Sequence, residues 1–154
     1  MADRWYELGT QALHAAMRDP HDLAGAAPHV QALFDECGQD GLVRAILGWS
    51  DTLINRSGIP TDGTPVRAAW MPYDPDDPNP QVKTADEIEP VARWAGRLLV
   101  ARAALDQDAW NALMDSVPKD PAVMGDHVME LLGMIALNLR MIQDGTHPTA
   151  VSHG

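Results

Sequence analysis

At 154 residues and 45% hydrophobic content, the chain has the size and composition of one ordinary globular domain, able to bury a core without staples. Twenty-two acidic residues against eleven basic ones give a net charge of −11, which argues against direct nucleic-acid binding and against an anionic membrane surface. The single cysteine, Cys37, excludes an intrachain disulfide.

Aromatic residues are few and biased to tryptophan, so the apolar volume comes from Ala, Leu, Met and Val, a set that favours helices. Nine of the eleven bases are arginine, the bias expected of a high-GC genome such as that of an actinobacterium, its phages or its mobile elements. The amino-terminal stretch MADRWYELG has no apolar signal core. The longest strongly apolar run, Leu131 to Ile142, is twelve residues and falls short of a bilayer span. A cytoplasmic protein with no membrane contact is the expectation.

The first predicted helix runs from about Asp3 to Arg18. Trp5, Leu8, Ala12, Leu13, Ala16 and Met17 recur at spacings of three and four, Asp3 caps the start, and Asp19-Pro20 stops it. Pro20 to Ala27 reads as a connection or one short turn. A second helix opens at Pro28, carries Val30, Leu33 and Phe34, and ends at Cys37, with Gly38 as cap. A third starts near Asp40, with Leu42, Val43, Ile46, Leu47, Leu53 and Ile54 in its stripe and Trp49 alongside. It ends at Gly58-Ile-Pro60.

Gly58 to Lys83 follows, with six of the twelve prolines and the run Asp74-Pro-Asp-Asp-Pro-Asn79. Such long connections are uncommon and tend to be functional or disordered. The fourth helix is expected from an Asp86 cap, with Pro90 in its first turn and a stripe of Val91, Trp94, Ala95, Leu98, Leu99, Arg102 and Leu105. Asp106 opens a short fifth helix carrying Trp110, Leu113, Met114 and Val117. The sixth has Asp120 as cap and Pro121 at its first position, runs to about Gln143, and closes at Gly145. Its second half is apolar on nearly every side, so it is expected to be central, wrapped by the other five or shared in a homodimer. Gly125 and Gly133 are expected to let helices approach it.

The fold class predicted is all-α: a compact single-domain bundle of about six helices. Residues 1–145 form one domain, with helical halves 3–57 and 85–143 joined by connection 58–84, and residues 146–154 form a disordered tail.

Motifs that would name a reaction are missing from the sequence. No P-loop, Gly-x-Gly-x-x-Gly, Gly-x-Ser-x-Gly or His-Glu-x-x-His is present. Of six histidines, only His127 has a carboxylate at helical ligand spacing within a predicted helix, Glu130, and no second Glu-x-x-His accompanies it. His127 therefore reads as a polar residue near Asp126. The aspartates at 74–77 lack the glycine and terminal glutamate of a calcium loop. No metal, cofactor or catalytic residue is assigned. An enzyme assembled from distant residues would start from His14, Asp126, His127 and Glu130, and an acidic mimic of nucleic acid is a further alternative.

The favoured reading is a small acidic non-enzymatic interaction or regulatory protein, its partner another protein or a second copy of itself. The expected contact patch is Arg67, Trp70, Met71 and Tyr73, with the acidic rim Asp74, Asp76 and Asp77, because exposed Trp, Tyr and Arg are frequent binding hot spots.

Overall fold

The computed structural model describes residues 4–58 and 87–145. The described residues form helices and turns, and there is no strand among them. In chain order the elements are α1 (Arg4–Arg18), a 3-10 turn (Leu23–Gly25), α2 (Ala27–Ser57), α3 (Pro90–Ala103), α4 (Gln107–Asp115) and α5 (Pro121–Asp144).

Five α-helices therefore stand among the described residues where six were expected along the chain. The difference lies at Gly38. Its φ of 68° and ψ of −166° break the helix where a cap was predicted, but helical pairing resumes at once. The two predicted helices thus follow one another across a kink at Gly38 and together make up α2. Only glycine adopts such dihedrals at little cost. Gly41 completes the bend, because a Cβ there would fall on the Cβ of Cys37 and crowd Trp5.

The caps follow local chemistry. Asp22, Asp106 and Asp120 each accept a hydrogen bond from the backbone amide of Ala24, Ala109 and Ala122, at 3.1, 3.1 and 2.9 Å. Gly145 ends α5 with φ 74°, as predicted. Helix α3 departs from expectation. It starts at Pro90, with Glu89 rather than Asp86 as its N-cap and no capping side chain. Proline at the first position needs no donor, so the helix tolerates a weak cap.

Leu8, Ala12 and Ala16 of α1, Leu33, Ile46 and Trp49 of α2, Trp94 and Leu98 of α3, Trp110 of α4, and Leu131, Leu132 and Ile135 of α5 join in one continuous apolar core. Helix α1 lies along α2, α5 rests against α1, α2 and α3, and α4 packs on α3.

Several side chains depart from the predicted stripes. Phe34 is exposed, although Val30 and Leu33 beside it on α2 are buried. Leu105 lies beyond the end of α3 and is 57% exposed. Val117 falls after α4 ends at Asp115, although it still packs on the core. Cys37, at the end of the first arm of α2, is half-buried.

Helix α5 is not wrapped on all sides. Val128, Leu131, Leu132, Ile135, Ala136 and Leu139 are buried on one face, and Met134, Leu137 and Met141 on the other are only partly covered. It is 24 residues long and contains an 18-residue window of mean hydropathy 1.3, which matches a membrane span in length and composition, and 33% of that window is buried. A core helix with this buried face meets the same criterion. Of its two glycines, Gly133 does admit a neighbour, since a Cβ there would lie 3.0 Å from Leu23. Gly125 faces open space.

Candidate functional site

The patch singled out in the sequence, Arg67, Trp70, Met71, Tyr73, Asp74, Asp76 and Asp77, lies outside the described residues. Of the alternative catalytic set, His14 and Asp126 are exposed, and His127 and Glu130 are half-buried one turn apart on α5. Among the described residues no group of three or more His, Cys, Asp or Glu side chains is placed to hold a metal ion.

The structure instead forms a cavity of about 110 Å³ where α2, α3, α5 and the end of α4 meet. Helix α2 contributes Leu42, Val43 and Ile46, which its i, i+1, i+4 spacing places on one side after the Gly38 bend, with Gln39 one turn earlier. Met114 and Val117 close one side, and Met124 and Val128 of α5 close another. Trp94 and His127 form the aromatic wall, and Asp115 and Lys119 bring the charges.

That wall is held by backbone oxygens. The Trp94 indole donates to the Leu113 carbonyl at 2.8 Å, which ties α3 to α4. The His127 ring meets it edge to face, with centroids 5.0 Å apart and planes at 80°. His127 Nδ1 sits 2.8 Å from the Val123 carbonyl one turn back on α5. Both rings are therefore fixed before anything binds.

One turn further along α5, Glu130 is half-buried. Burial, with the nearby Glu89 carboxylate as a smaller contribution, pushes its carboxyl above the ordinary range. A single raised carboxyl beside one like charge is an isolated feature, not an acid–base pair.

A second hollow of about 150 Å³ lies at the α3–α4 corner, lined in part by Arg102, Asp106 and Gln107. Its polar groups are already engaged. Arg102 binds Asp51 through two hydrogen bonds of 2.7 and 3.0 Å, Asp106 caps α4, and Gln107 donates to Asn111. The pairing with Asp51 holds the Arg102 guanidinium above its usual pKa.

Sequence reasoning placed Trp94 in a core stripe and His127 beside Asp126, but did not join them. Their meeting depends on how α3 and α5 pack, and no local pattern carries that. The described residues form an all-α fold with a small, mostly apolar recess and no group of His, Cys, Asp or Glu placed to hold a metal ion. No protein-family model, curated protein or solved structure matches this chain.

Proposed function

We propose that the chain is a small, non-enzymatic protein-interaction module, and that the Trp94–His127 cavity receives one apolar side chain from a partner. The cavity itself carries this reading. Metabolite and cofactor pockets occupy roughly 300–1,000 Å³, whereas this one measures about 110 Å³, the scale of a single side chain. Eight of its twelve lining residues are apolar. Binding hot spots have this form: one anchor seated in a preformed, largely apolar recess. The net charge of −11 favours an anchor presented by a basic segment, which long-range attraction would steer to the chain.

Panning a displayed random-peptide library against the intact chain tests the proposal. Sequences enriched for an apolar residue among lysines and arginines are expected. The Val43→Lys variant should retain its fold, because Val43 is only half-buried, and should lose those sequences. Enrichment that persists on the variant would move the docking site elsewhere.

A further inference from the structure

The ring of His127 has a defined polarity. A carbonyl oxygen only accepts hydrogen bonds, so the 2.8 Å contact with the Val123 oxygen places the proton on Nδ1. In the neutral ring Nε2 then carries a lone pair. Nδ1 faces back along α5, and the His127 side chain lines the cavity. Among the described residues no hydrogen-bond or ion-pair partner engages Nε2. The indole N–H of Trp94, the nearest ring, is turned to Leu113 instead. The recess therefore offers apolar walls and, in His127, a ring nitrogen without a partner among the described residues, with Gln39 and the Asp115 carboxylate also on its lining.

We propose that its occupant is a tyrosine side chain from a basic partner segment, the ring among the apolar walls and the hydroxyl donating to His127 Nε2. This rests on the reading of the cavity as a docking site. A recess of about 110 Å³ is on the scale of one side chain. Phenylalanine would fill the space but leave the acceptor dry and unpaired, which is costly. Serine or threonine would supply a donor without the apolar body. Charge complementarity with a chain of net charge −11 sets the flanking residues as lysine or arginine.

The test is a titration of the ¹⁵N-labelled full chain with two capped tripeptides, Lys-Tyr-Lys and Lys-Phe-Lys, followed at the Trp94 indole N–H and the His127 ring nitrogens. The tyrosine peptide is expected to bind roughly three- to tenfold more tightly, the ratio of one neutral hydrogen bond. The His127→Phe variant should bind the two peptides equally. Equal binding by the wild-type chain, or a preference that survives in His127→Phe, overturns the tyrosine assignment and leaves the docking site standing. No shift at Trp94 with either peptide overturns both. The ring ¹⁵N shifts of the free wild-type chain give a check that needs no variant, since a proton found on Nε2 of the neutral ring would also overturn the assignment.

Discussion

The indole of Trp49 donates a 2.9 Å hydrogen bond to the backbone carbonyl of Gly9, and this buried contact locks α1 against the second arm of α2. The approach depends on glycine. A Cβ at position 9 would stand 3.2 Å from the Cβ of Ala45 and 3.7 Å from Trp49 Nε1. The helices meet there because one of them has no side chain.

Replacing Gly9 by valine should therefore destabilise the fold by about 1–3 kcal/mol, the usual cost of overpacking a tight contact. Gly48 provides the control. It lies in the same helix as Trp49, is exposed, and has no neighbour within 4 Å of the point where a Cβ would stand. Gly48→Ala should stabilise by up to about 1 kcal/mol through helix propensity. Urea melts of both variants would decide the matter, and a Gly9→Val chain as stable as wild type would refute the contact.

Leu105 occupies the left-handed region with φ 58°. Its amide bonds the Arg102 carbonyl, and the amide of Asp106 bonds the Ala101 carbonyl, the paired bonds of a Schellman ending normally completed by glycine. The leucine is 57% exposed, so packing returns little for the strain. Leu105→Gly should stabilise by up to about 1 kcal/mol, with relief of strain partly offset by a more flexible unfolded chain. A drop in thermal midpoint would show that the leucine makes a stabilising contact.

Asp51 and Arg102 join α2 to α3 through a bidentate pair whose side chains remain 43% and 30% exposed. Solvent screens such a pair, so a double-mutant cycle with alanine at both positions should give a coupling of no more than about 1 kcal/mol. That coupling should shrink as salt rises from roughly 0.05 to 1 M. A coupling that ignores salt would mark the pair as more deeply enclosed than its exposure indicates.

Glu130 makes stability fall as pH rises. Its folded pKa lies above its unfolded value, so the folded chain holds the proton more tightly. The stabilisation is complete below the unfolded carboxyl value, ~4.3, and is lost as pH climbs through the raised folded value. Glu130→Gln should therefore raise the thermal midpoint at pH 7 and flatten the profile just above that lower limit. Parallel wild-type and variant profiles would remove Glu130 from the linkage.

Much of the fold was legible along the chain. The Asp106 and Asp120 caps, Pro121, and the closing Gly145 each act within a turn or two, so their sequence patterns sufficed. The stripe of α1 was equally plain, because Leu8, Ala12 and Ala16 meet the core from one face. Gly38 was recognised as a break but not as a hinge, since its neighbours alone do not say whether a helix restarts at once. The all-round apolarity of α5 suggested complete burial. Packing covered only the face of Leu131, Leu132 and Ile135, because α1, α2 and α3 lie on that side.

The candidate site was not legible in this way. By itself the sequence determined the helical class, the acidic charge, the capped ends and the lack of familiar catalytic motifs, all properties of composition or of residues close in the chain. Tertiary structure alone decided that Trp94 meets His127, that Gly9 admits Trp49, and that Asp51 finds Arg102. Those pairs are 33, 40 and 51 residues apart. Their encounter depends on the angles at which whole helices cross, which arise from the sum of the core's contacts rather than from any local pattern.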